Sequence, residues 1–401
     1  MNDRRAALSS LTSLLWAAGS VVTLLACGGS DGGAATDDPD AATSSDAAIG
    51  GDVGSGGEAA PGRDTGSGKP GADGGGPAPD GPAPGGDTGG GADAGVLPPL
   101  TCGAGAACAA GQVCDELAGR CVCVPGFAVS GADCVRPTRS DPTARTKDEV
   151  CAHWKEGHVE TAKAPFVPGA GGACDPGKLP SDARLDAVRR WNMYRWLSGL
   201  HPAGVDPSIA QAQQECALIE SKTFGHDVPT TAPCYTADGA KEASLSMIAQ
   251  GFGSAASTMD AYMFEPLSTR LAHRKISISV DRDNINFGFI DGGSCARYGY
   301  GFTDPSPPAF VAVPNPGVTP LQMTTGAWSL HGGGKTLPVG AVKIFDETDK
   351  VDKAVAQDAM YAGYNAWTPS GWTPQADHTY RVTLTDAAAT LTYAVTPVDC
   401  P

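Results

Sequence analysis

Basic and aromatic side chains are both scarce in this chain of 401 residues: 28 Lys and Arg stand against 44 Asp and Glu, and aromatics make up 6%. The shortage of cations excludes the basic face that nucleic-acid binding requires, so no nucleic-acid partner is expected. The apolar stretch that begins near Ala6 is broken by Ser9, Ser10, Thr12, Ser13 and Ser20. It falls short of the about 20 apolar residues of a membrane anchor. No Gly-x-Ser-x-Gly stands beside a suitable His and Asp, and no nucleophile assembly is apparent. Gly292-Gly293 and Gly332-Gly333-Gly334 lack the strand-to-helix setting of a phosphate loop and read as turns.

What is present begins at the N-terminus. Arg4 and Arg5 precede the apolar stretch, which closes on Leu24-Leu25-Ala26-Cys27. A positive start, an apolar core and small residues before the cut make a secretory signal over residues 1–26. The cysteine directly after Leu-Leu-Ala resembles a bacterial lipobox. That resemblance implies lipidation of the Cys27 thiol, cleavage that leaves it as the new N-terminus, and membrane attachment through the lipid. Gly28 follows where retention signals place Asp, which favours the outer membrane. Setting Cys27 aside leaves 12 of the 13 cysteines, an even number that fits six disulfides in an oxidising, extracytoplasmic compartment.

The net charge of −16 is concentrated in one place. Residues 28–100 carry 12 acidic and 2 basic side chains, and no aromatic residue. This Gly, Ala, Pro and Asp-rich stretch cannot bury enough apolar surface to offset the entropy of ordering. Residues 27–100 therefore read as a disordered, self-repelling tether.

Six cysteines then crowd into residues 102–134, spaced Cys102-x5-Cys108-x5-Cys114-x6-Cys121-x-Cys123-x10-Cys134. So short a unit cannot hold a sizeable core, and bridges must replace it. Cys121-Val122-Cys123, Pro125-Gly126-Phe127 and Gly131 before Cys134 resemble the end of an EGF-like module. The resemblance implies the pairs Cys102–Cys114, Cys108–Cys121 and Cys123–Cys134.

Residues 150–300 mix helical and extended patterns. Ser181 and Asp182 are placed to cap a helix through Leu185 and Val188 to Leu197, with Gly199 after its end. A second helix starts near Asp206-Pro207 and runs to about Lys222, and a third spans Ser257 to about Glu265. The alternation of Lys275-Ile276-Ser277-Ile278-Ser279-Val280 predicts a strand, as does Asn286-Phe287-Gly288-Phe289-Ile290. The fold class is α+β or a layered sandwich.

The ordered set Asn192-Met193-Tyr194-Arg195, Gly199-Leu200-His201-Pro202, Asp206-Pro207, Gly225-His226, Cys234-Tyr235, Tyr262-Met263, His273-Arg274 and Asn286-Phe287-Gly288 resembles the CAP (SCP-like) superfamily. That family comprises cysteine-rich secretory, antigen 5 and pathogenesis-related proteins. The resemblance implies an α-β-α sandwich with a cleft of two histidines and two acids, which in some members binds a divalent metal. His226 and His273 stand at the histidine positions, although Ala272 replaces the usual glycine. Glu265 suits one acidic position. The glutamate of the family's Gly-Glu-Asn motif falls on Ser246 and the asparagine on Met247; Glu242 substitutes only with a register shift of four. Two imidazoles and a carboxylate would suit zinc with an open position.

Residues 305–401 recur as short β-rich runs at Phe310–Val313, Ala327–Leu330, Val342–Phe345, Tyr380–Leu384 and Leu391–Val395, the last two joined by a turn at 386–389. They suggest a small immunoglobulin-like or fibronectin-like sandwich, or else a β extension packed on the main domain. The remaining cysteines show no zinc-knuckle spacing, and the bridges Cys151–Cys174, Cys216–Cys234 and Cys295–Cys400 are expected. The first functional reading is an envelope-tethered module that binds a lipid, glycan or envelope protein in a His-lined cleft. The second is a metal-dependent hydrolase or protease using His226, His273 and Glu265.

Overall fold

The computed structural model describes residues 102, 108–265, 271–333, 337, 340–357, 364–387 and 389–401. The signal stretch, Cys27 and the acidic tether lie outside the described residues. Among the described residues, no helix is long and apolar enough to cross a membrane. The chain is α+β.

The cysteine-rich unit folds as two small hairpins. Strand β1 (Gln112–Asp115) pairs antiparallel with β2 (Arg120–Cys123), and β3 (Ala128–Ser130) with β4 (Asp133–Val135). The bridges Cys102–Cys114, Cys108–Cys121 and Cys123–Cys134 staple it. The unit does not stand clear of its neighbour. Val113 and Val124 are buried in the main apolar core. The side-chain amide of Asn192 donates to the Pro125 carbonyl at 2.7 Å.

Helix α1 (Lys147–Gly157) opens with a reciprocal cap between Thr146 and Glu149. Helix α2 (Ser181–Leu197) starts after Pro180 with no side-chain cap. The expected capping residues are spent elsewhere: Ser181 Oγ accepts from Glu116 N at 2.9 Å, and Asp182 Oδ2 from Lys163 N. The helix ends as its sequence predicts. Gly199 has φ +72°, and Leu200 N reaches back to the Arg195 carbonyl at 2.8 Å. Strand β5 (Gly204–Val205) leads through a turn capped by Asp206 into α3 (Ala210–Glu220). Then follow α4 (Ala237–Leu245), β6 (Ser246–Ala249), α5 (Ala255–Met263), α6 (Ala272–Ser277), β7 (Arg282–Ile290) and β8 (Gly293–Tyr300).

These strands form one sheet in the order β5-β7-β8-β6. Ile285, Phe287 and Phe289 of β7 share a core with residues of α2 and α5. On the opposite face α3 lies directly on the strand backbones. A Cβ at Gly288 would sit 1.8 Å from the Gln213 carbonyl oxygen, and one at Gly293 2.2 Å from that of Ala217. The sheet thus has helices on both faces, and two glycines set how closely α3 approaches.

The stretch 275–280 is not the predicted strand; it forms the end of α6 and the turn after it. A six-residue alternation is too short to fix a period, and tertiary contacts decide it. Arg274 is buried, donating its backbone N–H to Glu265 Oε1 at 2.9 Å and its guanidinium to the Met263 and Ala327 carbonyls. That anchoring holds the turn, while Ile278 is buried and Ile276 and Val280 pack on the core.

The three expected bridges outside the small unit are replaced by Cys151–Cys400, Cys174–Cys234 and Cys216–Cys295. The layers explain the correction. Cys216 projects from α3 onto the sheet and meets Cys295 of β8, both fully buried. Cys234 lies on a loop beside Ala173, and so pairs with Cys174.

Among the described residues, the C-terminal region has nine strands in two sheets. The first is β10 (Gly317–Pro320), β17 (Thr390–Val398), β16 (Tyr380–Thr385), β12 (Ala341–Asp346) and β13 (Val351–Lys353) in spatial order. The second is β14 (Val355–Gln357), β15 (Tyr364–Pro369), β11 (Trp328–Gly332) and β9 (Phe310–Val313). Trp328, Leu330 and Trp367 of one sheet share a core with Ile344, Tyr380, Val382 and Val395 of the other. Val311, Val313 and Val398 instead join the core of the α/β region. With Cys400 bonded to Cys151 of α1, the two regions are tied both by packing and covalently.

Candidate functional site

Of the residues singled out from sequence, the fold brings Glu265 and His273 together. Leu271 takes a left-handed backbone (φ 50°) and starts α6, which sets His273 Nδ1 3.0 Å from Glu265 Oε2. The Glu265 carboxylate is buried, and its other oxygen accepts the Arg274 N–H. A carboxylate can only accept, so His273 Nδ1 carries a proton and Nε2 is left to interact with a ligand. The His273 side chain is 19% exposed, so this nitrogen's ring is reachable from solvent.

Tyr262 of α5 packs against His273, ring centroids 4.9 Å apart. Its buried hydroxyl faces Ser294 of β8 without a well-formed hydrogen bond. Burial, then the carboxyls of Glu220 and Glu265, push the phenol well above its usual value. The phenol therefore lies within the field of both acids.

Glu220 was not anticipated. It is the last residue of α3 and fully buried. Oε2 accepts from Gly225 N at 3.0 Å, while Oε1 has no hydrogen-bond partner. Burial pushes the carboxyl up to about 7, with the Gly225 bond opposing. A buried carboxyl poised near neutrality is a marker of functional sites. One sequence signal was available: an acid in the last turn of a helix opposes the macrodipole and so needs another reason to be there.

His226 follows Gly225 on the same loop. Its Nδ1 donates to the Ala243 carbonyl at 2.8 Å, at the end of α4 and three residues before β6. The helix carrying His273 meets β6 itself, through Ser277 Oγ and Met247 Sδ at 3.7 Å. Glu242 belongs to a different network: it accepts from Gln213 Nε2 at 2.7 Å and Arg297 NH1 at 3.0 Å. Gln213 also reaches Ser246 Oγ at 3.0 Å, so Glu242 and Ser246 belong to a hydrogen-bonded support between α3 and β8.

These donors do not fit a preformed zinc site. Among the described residues, two groups offer three ligand atoms within 4.8 Å of one another, and neither includes His226 or His273. The first is Cys102, Cys108 and Cys121, whose sulfurs are in disulfides. The second is Asp346, Asp349 and His378, where Lys353 Nζ already lies 3.2 Å from Asp346. What the Glu265–His273–Tyr262–Glu220 arrangement offers is an oriented imidazole, a phenol and a carboxyl able to hold a proton near neutral pH.

Trp191 meets Phe287 edge-on, and His153 stacks on Trp196 at 3.7 Å. Comparison of the chain with protein-family models, curated proteins and solved structures finds no match in any of the three.

Proposed function

We propose that the chain is a lipid-anchored cell-envelope protein, tethered through Cys27 to the outer membrane. Its α/β region is a CAP domain that binds an extracytoplasmic ligand around His226, Glu265 and His273. The observation that carries this reading is the Glu265–His273 pair, 3.0 Å apart and flanked by Tyr262 and Glu220. A sheet with helices on both faces supports the CAP assignment. Three stapled pairs in the cysteine-rich unit support an EGF-like module, and two sheets around one core support an immunoglobulin-like C-terminal region. Six disulfides support an oxidising compartment.

Binding is favoured over metal-dependent hydrolysis because Glu242 is committed to Gln213 and Arg297 and, among the described residues, neither histidine joins a group of three ligand atoms. The second reading, a hydrolase, draws support from the Glu220 carboxyl held near 7. Metal analysis of the purified protein separates the two. No stoichiometric zinc is expected, in wild type or in His226→Ala/His273→Ala. Stoichiometric zinc that disappears in the double variant reverses the choice. Anchoring is tested by labelling with a fatty-acid analogue: wild type takes the label and Cys27→Ser does not. Label retained by Cys27→Ser refutes the lipobox.

A further inference from the structure

A cleft of about 690 Å³ opens at the seam between the α/β and β regions, away from the histidines. Pro142 and Ser198 line it from one side, Phe310 and Tyr393 from the other. The Cys151–Cys400 bond and the shared core fix the two sides against each other, so the cleft is preformed. Its volume falls within the range of small-ligand sites, and junctions between regions are where such sites concentrate.

Two hydroxyls carry the argument. Ser198 Oγ, at the end of α2, and Tyr393 OH, on β17, are both buried and both without a hydrogen-bond partner. Buried polar groups are nearly always satisfied, so two orphans in residues lining one cleft need an explanation. Neither oxygen is open to bulk water, so bonding a ligand requires each side chain to shift toward the cleft, a rotamer change of the kind common on binding.

The cation in the lining, Arg139, is already committed. Arg139 pairs with Asp304 and donates to the Gly199 and Ser306 carbonyls. Asp141, at the exposed rim, uses Oδ1 to accept from Thr143 N and Oγ1 and leaves Oδ2 as an open acceptor. No free cation remains for an anion. An acyl chain would leave both hydroxyls unpaired. A peptide carbonyl only accepts, whereas a hydroxyl is satisfied in both senses by a group that both gives and takes a hydrogen bond.

We propose that the seam cleft binds a neutral, hydroxyl-rich ligand, a short oligosaccharide, with Ser198 and Tyr393 bonding its hydroxyls and Phe310 packing on its apolar face. This site is additional to the His273 cleft and does not depend on it.

Calorimetric titration of the full chain with maltotriose, cellotriose and the trimer of N-acetylglucosamine tests the proposal. Saturable binding of at least one is expected, and which one binds separates plain from N-acetylated glycans. Tyr393→Phe and Ser198→Ala should each weaken it about tenfold and leave the unfolding midpoint unchanged or raised, since neither hydroxyl has a partner to lose. His226→Ala/His273→Ala should leave it unchanged. Binding by none of the three sugars overturns the proposal. So does sugar binding indifferent to both hydroxyls, capture of a polyproline peptide or of palmitate in their place, or a lowered midpoint in Tyr393→Phe.

Discussion

Glu220 in the α/β region and Asp346 in the β region are both fully buried, yet their surroundings treat them in opposite ways. Asp346 receives the N–H groups of Thr348 and Asp349 at 2.9 and 3.1 Å, Lys353 Nζ at 3.2 Å and His378 Nδ1 at 3.1 Å. Burial pushes its carboxyl up, but these bonds outweigh that and hold it below the usual range. Glu220 has one backbone N–H, one orphan oxygen and a carboxyl raised to about 7. Burial by itself does not mark a functional acid. The unmet bonding capacity left after burial distinguishes the two. Asp346 has its bonding capacity met, whereas Glu220 keeps an open oxygen in the field of Tyr262.

A large effect is expected at Asp346. Asp346→Ala removes the acceptor of two backbone N–H groups and leaves Lys353 with Asp349 alone, 3.6 Å away, and should cost about 2–4 kcal/mol in denaturant unfolding. A loss below about 1 kcal/mol would mean that the network is not structural, and the contrast with Glu220 would fail.

Next come the contacts that hold α3, and hence Glu220, against the sheet. Cys216→Ala/Cys295→Ala removes the covalent tie between α3 and β8 and should cost about 2–5 kcal/mol. Gly288→Ala places a methyl against the Gln213 backbone, where neither side can yield cheaply; about 1–3 kcal/mol is expected. An unchanged stability in Gly288→Ala would show that α3 sits farther from β7 than described.

The smallest effect has the most informative sign. Glu220 is raised in the folded state from an ordinary value of 4.5 to about 7. Between those values the folded chain binds the extra proton. Stability therefore falls as pH rises through that window and levels off above it. Asp346, with a depressed value, works the other way: its contribution is present above the ordinary range and is lost as pH falls through the folded value. Glu220→Gln should flatten the neutral part of the profile and gain on the order of 1–2 kcal/mol at pH ~8. Asp346→Ala should remove the acidic part instead. A Glu220→Gln profile that matches wild type contradicts the assignment.

Much of the scaffold was legible in the sequence. Helices α2, α3 and α5, strand β7 and the runs of the β region announce themselves by period, by Asp206-Pro207 and by Gly199. The pairing in the cysteine-rich unit agrees with its EGF-like resemblance. The long-range bridges were not legible, because Cys216 meets Cys295 only once α3 has packed on β8. The strand expected at 275–280 failed because the buried contacts of Arg274 outweigh a short alternation. In the site, Glu265 and His273 were identified from their order in a family pattern. Glu220 was overlooked because a glutamate ending an amphipathic helix usually points into water, and nothing local to its sequence says that α5 and β8 close over it.

Titration of isotope-labelled carboxyl groups by NMR, with Glu220→Gln and Asp346→Ala to assign the two resonances, is the most direct measurement. Glu220 is expected to titrate near about 7 and Asp346 below its ordinary 3.8. A Glu220 midpoint at the ordinary 4.5 would contradict the open, proton-holding acid in the field of Tyr262.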